Sequence, residues 1–275
     1  ITKKMGSLYI WGTPIGNLED TSYRLKKVLS TVDLILCEDT RRAKTLLDYL
    51  KVKTPYESFF VGNEHKKNNR IVSKIKDGMN IALISDAGMP TISDPGSLLI
   101  QIAASKGIDV IVIPGPSSVV ASFSLSGFLY PGFTFFGFLE KRGADRLRQI
   151  KEIARAQRPS IFFTSIQRLE KDLEEIINNG GIQELVICRE LTKMHETVYR
   201  GKASDLIKEI DKKDLKGEVT IVVDAAIEET IEEEKILEAA AILLEEGNSK
   251  KSIAKALSKV SQYSVNEIYS MIQHY

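Results

Sequence analysis

The chain has only two cysteines, Cys37 and Cys188, among its 275 residues. Both sit inside apolar runs with no ligand-like spacing, which argues against a disulfide framework and a cysteine zinc centre and fits a reducing, cytoplasmic setting. Histidine is as scarce: His65, His195 and His274 stand far apart, so no His-x-x-x-His pair is available and no metal site is expected. No apolar stretch approaches the roughly 20 residues of a membrane helix. The N-terminal Ile1–Met5 segment carries lysine without the apolar core of a signal peptide. An excess of one charge is missing too. Lys plus Arg totals 38 and Asp plus Glu 37, a formal net charge of +1, so a polyanionic partner must be met by a local patch. Three familiar fingerprints are absent: Gly12–Asn17 has no Gly-Lys-Ser/Thr ending, and neither Gly-x-Gly-x-x-Gly nor Gly-x-Ser-x-Gly occurs.

What is present is a repeated unit in the first half: a short apolar run, a turn of small or acidic residues, then an amphipathic stretch. The runs are Leu8–Trp11, Leu34–Cys37, Ile81–Ile84 and Val110–Ile113. Continuous aliphatic runs of this length suit parallel strands covered on both faces. Helices are expected over Tyr23–Leu29, Thr45–Leu50, Asn69–Ile75 and Leu98–Ala104, which gives an α/β layer with right-handed crossovers. Residues 6–127 therefore read as one α/β domain, and the pattern breaks in a linker around Ser126–Gly132. Residues 128–226 read as a second α/β domain with strands near Phe133–Phe138, Ser160–Thr164, Leu185–Cys188, Glu196–Tyr199 and Val219–Val223. The short span Arg189–His195 suits a hairpin, so this sheet is expected to be mixed. Residues 227–275 begin with an acidic run, Glu228 to Glu234, and continue as a small helical extension in which Asn248 or Ser249 can cap a helix.

The first-domain strands all end in chemically similar turns: Gly12-Thr13-Pro14-Ile15-Gly16-Asn17, Glu38-Asp39-Thr40-Arg41-Arg42, Ser85-Asp86-Ala87-Gly88-Met89-Pro90 followed by Ser93-Asp94-Pro95-Gly96, and Pro114-Gly115-Pro116-Ser117-Ser118. In an open parallel sheet such turns leave one edge and meet at one crevice. Glycine admits close backbone approach and proline keeps a loop rigid. One such turn is ordinary punctuation; four in succession point to a metal-free pocket able to hold a nucleoside-type cofactor through backbone groups.

These segments, with Arg189-Glu190-Leu191-Thr192-Lys193, occur in order at intervals that resemble the ribosomal RNA small subunit methyltransferase I family, a bacterial branch of the tetrapyrrole (corrin/porphyrin) methylase superfamily. The resemblance covers roughly residues 6 to 226, and the helical extension is similar to that family's own. It implies two α/β domains with a cofactor cleft between them, usually in a homodimer. It also implies 2'-O-methylation of a cytidine ribose in the 16S rRNA decoding centre, using S-adenosylmethionine, on 16S rRNA or the 30S subunit. Some positions depart from the family pattern, the Thr164–Arg168 loop most, so no catalytic role is carried over to that loop. Gly12 stands where the family commonly has Ala, Met89 where it has Thr, Glu140 where it has Pro, and Thr164–Arg168 where it has Glu-Ser-Pro-His-Arg.

On this resemblance the cofactor is expected to meet Thr13, Pro14 and Gly16, then Ser85, Asp86 and Ala87, then Pro114, Gly115, Pro116, Ser117 and Ser118, with Arg189, Glu190 and Thr192 from the second domain. A ribose hydroxyl is a weak nucleophile, so a base is expected among the crevice carboxylates, Asp39 or Glu38 before Asp86. Asp39 reads equally as the cap of a helix starting near Arg41. Arg41 and Arg42 are expected on neighbouring phosphates. Between residues 141 and 158 seven basic side chains oppose Asp145 and Glu152; Lys141, Arg142, Arg146 and Arg148 are expected to contact RNA, because guanidinium forks suit phosphate. The rival enzyme reading is a corrin- or porphyrin-type small-molecule methyltransferase of the same fold, and the rival outside enzymology is a silent protein that keeps the cofactor pocket.

Overall fold

The computed structural model describes residues 4–180, 184–210, 217–226, 233–261 and 263–274. The chain divides into two compact units, one running to Ala226 and the other beginning at Ile227.

The first unit contains two five-stranded sheets. In the first, β1 (Leu8–Trp11), β2 (Leu34–Cys37), β3 (Tyr56–Ser58), β4 (Ile81–Ile84) and β5 (Val110–Ile113) lie in the order β3-β2-β4-β1-β5, and every pairing is parallel. The aliphatic runs of β1, β2 and β4 fill cores on both faces. On one side Trp11, Ile35 and Ile84 pack with Leu25, Leu46 and Leu50; on the other Leu8, Leu36 and Leu83 pack with Phe59, Ile71, Ile75 and Leu99. The crossover helices are α1 (Tyr23–Leu29), α2 (Thr40–Leu50), α3 (Glu64–Lys76) and α4 (Ser97–Ser105). In α2 the buried set Ala43, Leu46, Leu47 and Leu50 follows the helical i, i+3, i+4, i+7 spacing.

Two expectations change here. Strand β3 has no aliphatic residue and exists through its pairing of Tyr56–Ser58 with Ile35–Cys37. Strand β5 is not covered on both faces: as the sheet's edge it leaves Val110 and Val112 exposed at 37% and 55%.

Helix α5 (Ser118–Ser126) leads into the second sheet. Its strands β6 (Thr134–Phe138), β7 (Ser160–Ser165), β8 (Glu184–Arg189), β9 (Thr197–Lys202) and β10 (Glu218–Val223) run in the order β6-β7-β10-β8-β9. Only β6 and β7 are parallel; β7-β10, β10-β8 and β8-β9 are antiparallel, so the sheet is mixed, with a hairpin joining β8 and β9. Helices α6 (Ala144–Ala154), α7 (Ile166–Asn178) and α8 (Ala203–Glu209) cover one face. The other face meets α5 and the loops of the first sheet in one apolar cluster that includes Ile15, Val119, Ile161, Val186, Cys188, Leu191 and Val222. The crevice lies over that cluster.

The second unit holds α9 (Glu233–Glu245), α10 (Lys250–Leu257) and α11 (Val265–Met271), packed through Ile236, Ala240, Ile253, Ala254 and Ile268. Ser249 is the cap of α10, and Ser264 with Glu267 forms a capping box on α11. Of the acidic run, Glu228 to Glu232 lies outside the described residues.

Candidate functional site

The strand-end turns of the first sheet are stitched together by hydrogen bonds. Thr13 and Gly88 exchange backbone bonds, Thr13 N–H to Gly88 O at 2.9 Å and Gly88 N–H to Thr13 O at 3.1 Å. Thr13 Oγ1 donates to the Ser85 carbonyl at 3.1 Å, and Ser85 Oγ donates to the Gly88 carbonyl at 2.7 Å. Gly12 and Gly115 let the β1 and β5 turns touch: a Cβ on Gly12 would lie 2.6 Å from Gly115 Cα and 2.6 Å from Met89 Sδ. The first departure from the family pattern thus sits against the second, with the Met89 sulfur occupying the place of the missing methyl.

Two loops close the crevice from opposite sides, and both hold strained backbone. Thr91 and Ser93 have φ values of 71° and 72°, and Glu190 and Thr192 have 51° and 65°. Four of the five non-glycine residues in left-handed conformation among the described residues therefore fall in these two loops. Such conformations cost of order 1–3 kcal/mol each and persist where the surroundings enforce them, commonly at functional sites. The loops also join the lobes. Asn17 N–H donates to Thr192 Oγ1 at 3.0 Å, and Ser93 Oγ lies beside Gly137 of β6.

Between the lobes is a hollow of about 250 Å³. Ile15, Ala87, Met89, Val119, Phe138, Phe163 and Leu191 give it an apolar wall, while Glu38, Arg42, Asp86, Asp94, Ser117 and Thr164 supply polar groups. A second hollow of about 290 Å³ adjoins it behind Thr13, Pro14, Gly16 and Ser85, and Arg42, Asp86, Ala87 and Lys193 border both. Mostly apolar walls with few convergent polar groups are the usual make-up of a small-molecule site.

The carboxylates differ sharply. Asp39 Oδ1 caps α2 by accepting the Arg41 N–H at 2.8 Å, and both its oxygens take the Arg41 guanidinium, at 3.0 Å and 2.6 Å for the shortest bonds. The Arg41 hydrogen bonds hold Asp39 down to about 2. Asp39 also lies outside the residues bordering either hollow. The structure thus places Asp39, one of the two expected bases, as the cap of α2 and the clamp of Arg41 rather than on the wall of the hollow. Glu38 does border the hollow, and burial together with the neighbouring Asp86 charge raises its proton affinity. Asp86 Oδ1 accepts the Asp39 N–H at 2.9 Å and its Oδ2 lies 3.7 Å from Arg42 Nε. Asp94, which sequence reasoning placed in a turn without giving it a role, is pushed up to about 7 by burial and by the charges of Glu38 and Asp86.

The remaining expected cofactor residues divide in two. Asp86, Ala87, Ser117, Ser118 and Glu190 border the first hollow, and Thr13, Pro14, Gly16 and Ser85 the second. Pro114, Gly115 and Pro116 border neither; Gly115 backs Gly12, and the Pro116 carbonyl faces Gly88. Arg189 and Thr192 also border neither: Arg189 Nη1 donates to the His195 carbonyl at 3.2 Å, and Thr192 N–H to Glu196 at 2.6 Å. Their place is to shape the Glu190 loop. Glu190 in turn accepts the Glu218 N–H at 2.9 Å and the Lys193 ammonium at 2.8 Å.

Of the expected RNA contacts, Arg41, Arg42, Lys141, Arg142 and Arg148 are exposed; Arg148 pairs with Asp145 at 3.0 Å. Arg146 is not available. Its side chain is 5% exposed, 2.7 Å from Asp172 and 2.8 Å from Glu175, so a phosphate cannot reach it. The spacing held a signal for this. Arg146 is in register with Ile150, Ile153 and Ala154 on the buried stripe of α6. Asp172, itself buried, also accepts from Thr164 Oγ1. Arg168 Nη2 donates to the carbonyls of Leu139 and Glu140, both at 3.2 Å. The altered Thr164–Arg168 segment therefore braces the turn that carries Lys141 and Arg142.

Comparison with known proteins agrees with this architecture. The family model of tetrapyrrole (corrin/porphyrin) methylases matches residues 7–207. A Thermotoga maritima protein named ribosomal RNA small subunit methyltransferase I is 44% identical over 218 residues, covering 79% of this chain and 98% of its own length. A Synechocystis protein of the same name is 34% identical over 271 residues, 97% of each chain. Among solved structures, a uroporphyrin-III C-methyltransferase from Thermus thermophilus complexed with S-adenosyl homocysteine superposes with a TM-score of 0.58 at 15% identity, over 80% of this chain and 97% of that one.

Proposed function

Because this chain belongs to the ribosomal RNA small subunit methyltransferase I branch of the tetrapyrrole methylase family, we propose that it methylates the 2'-hydroxyl of a cytidine ribose in the decoding centre of 16S rRNA, with S-adenosylmethionine as donor. The observation that carries this reading is the hollow between the sheets, apolar on its walls, with Glu38, Asp86 and Asp94 on one side and Arg42 among them.

The residues fit the donor by their chemistry. A nucleoside thioether needs flat apolar walls, which Ile15, Phe163 and Leu191 supply, and a few polar partners, which Ser117, Glu190 and the 87–89 backbone supply. Asp86 is the carboxylate placed to accept from an ammonium or ribose hydroxyl. When bound, S-adenosylmethionine supplies an electrophilic methyl group, so the chain's own contribution is to hold the acceptor hydroxyl in line at about 3 Å and to exclude water. Glu38 belongs to the groups that handle the hydroxyl proton. Arg42, with Arg41 oriented by Asp39, faces the phosphates flanking that ribose. Lys141, Arg142 and Arg148 extend the basic track, where counterion release supplies affinity.

We extend the reading to organisation. Residues 6–127 and 128–226 form the two lobes, and 227–275 is an accessory extension. The working unit is a homodimer in the cytoplasm. The bare apolar side chains Val110 and Val112 on the edge strand and Leu129, exposed at 97%, are surfaces a second copy would cover.

Transfer of labelled methyl to 30S subunits and to naked 16S rRNA, followed by alkaline hydrolysis, tests the reading. One cleavage-resistant linkage at a cytidine is expected. Label in a base would overturn the ribose assignment, and transfer to a uroporphyrin-type substrate and to neither RNA would replace the reading with the small-molecule alternative.

A further inference from the structure

We propose that Phe138 is the platform on which the base of the acceptor nucleotide stacks; this rests on the rRNA methyltransferase reading above and names a substrate contact within it. The backbone is built to put the ring there. Side chains alternate along a strand, so Phe136 and Phe138 would share one face of the second sheet. Phe136 packs into the core under α6, α7 and α8, and Phe135 packs on the opposite face, in the cluster below the hollow. Phe138 does not follow Phe136. It borders the hollow and meets Phe163, with ring centroids 5.3 Å apart. The cause is one extra residue in β6: Phe135 pairs with Ile161 and Phe138 with Phe163, so three steps along one strand match two along the other. Gly137, at a φ of 65°, carries the kink without a side-chain clash. A bulge of this kind re-aims a side chain, and such bulges gather beside active sites.

Once re-aimed, the ring is held at the surface, 60% exposed. The turn that follows it is fixed by side chains from two helices. Arg168 of α7 donates to the Leu139 and Glu140 carbonyls, both at 3.2 Å. From α6, Arg146 donates to the Glu140 carbonyl at 3.0 Å, and Gln149 accepts the Glu140 N–H at 2.9 Å. Leu139, the residue next to Phe138, is buried and anchors the turn from below. An apolar ring that simple collapse would hide is thus kept at the rim of the hollow by a bulge on one side and a braced turn on the other.

The neighbours identify the occupant. Lys141 and Arg142, on the same turn, are exposed, and their charges suit the phosphates on either side of a nucleotide. A base that has left its helix is commonly received on an aromatic face. Ile92, 43% exposed, borders the same hollow from the first sheet's loops and adds a second apolar surface. Ile15, Phe163 and Leu191 are more deeply buried and serve the donor, which leaves Phe138 for the acceptor. Every base has a π-face, so the contact supplies affinity and position, not the choice of cytidine.

A substitution series tests this, read by single-turnover methyl transfer at saturating donor and subsaturating acceptor. The acceptor is whichever of 30S subunits and naked 16S rRNA the wild-type chain methylates. Phe138→Leu keeps apolar bulk but removes the flat ring, and is expected to lower transfer about tenfold, with Phe138→Ala lower still. Phe138→Tyr and Phe138→Trp are expected to stay within about threefold of wild type, because each keeps a stacking face. All four should keep a thermal midpoint close to that of wild type, since the ring is already largely in water. Affinity for S-adenosylhomocysteine should change by less than about threefold, and the salt dependence of acceptor binding should not change, because no charge is removed. Transfer by Phe138→Leu within about twofold of wild type overturns the platform and leaves the RNA reading standing. An equal loss of S-adenosylhomocysteine affinity in Phe138→Leu also overturns it, by giving the ring to the donor. A wild-type chain that methylates neither RNA form fails the RNA reading itself, and the platform falls with it.

Discussion

Replacing Asp172 with alanine removes the centre of a buried charge network. Its side chain is 1% exposed, and Arg146, 2.7 Å away, is 5% exposed. Asp172 also takes the Thr164 hydroxyl and draws Arg168 to 3.8 Å. After the substitution Arg146 keeps Glu175, whose carboxylate is at 2.8 Å but one-third exposed at 34%, and one bond to the Glu140 carbonyl at 3.0 Å. Breaking a buried pair from one side typically costs about 3–5 kcal/mol, because the other charge stays desolvated. The surviving Glu175 contact argues for the lower end, about 3 kcal/mol. Urea denaturation followed by far-UV circular dichroism, taken over the transition of the α/β unit, measures it. The double substitution Arg146→Met with Asp172→Leu should be near neutral, since the unpaired charge is gone. A loss below about 1 kcal/mol in Asp172→Ala would refute the reasoning, because that is the range of solvent-exposed pairs.

Other predictions follow from the same geometry. Asp94 has a folded-state proton affinity above its unfolded one, so its contribution to stability is fully present below about pH 4 and is lost as pH rises through about 7. Asp94→Asn should therefore raise the thermal midpoint at pH 8, with the gain shrinking as pH falls and vanishing only near pH 4; an unchanged difference across that range would contradict it. Gly12→Ala should cost about 1–3 kcal/mol by overpacking against Gly115 and Met89, and Met89→Thr in the same chain should recover part of it, a coupling that a double-mutant cycle reads directly. Arg142→Glu should weaken rRNA binding and flatten its salt dependence without changing the unfolding midpoint. Arg146→Glu should instead impair folding, and equal loss of RNA affinity in a folded Arg146→Glu protein would reverse that assignment.

The elements that were legible in the sequence are those whose signal is local. The runs Leu8–Trp11, Leu34–Cys37 and Ile81–Ile84 are strands because an unbroken aliphatic stretch has no face to give to water, and the structure buries both faces of each. The same inference overreached at Val110–Ile113, since composition does not tell an edge strand from a central one. Tyr56–Ser58 was invisible because its strand character comes from its neighbour. At the site, the turns that bring backbone together were readable from Gly, Pro, Ser and Asp clusters. The proton affinity of Asp94 was not, because it is set by Glu38 and Asp86, which only the fold places beside it. Arg146 was misread for a related reason. A basic run suggests a surface, yet the partner that internalises this arginine, Asp172, is on another helix.

The depth at which the carboxylates sit has a consequence for how an RNA can approach. Asp94 is half-buried in a hollow of about 250 Å³ whose two sides are tied by the Asn17–Thr192 bond. A ribose flanked by stacked neighbours is too broad to descend to that level. On the RNA reading, the acceptor cytidine has to be turned out of its helix and enter alone, at an unstacking cost of a few kcal/mol. Rigid duplexes would then be poor acceptors, and the enzyme would favour particles in which that one nucleotide is already poorly stacked.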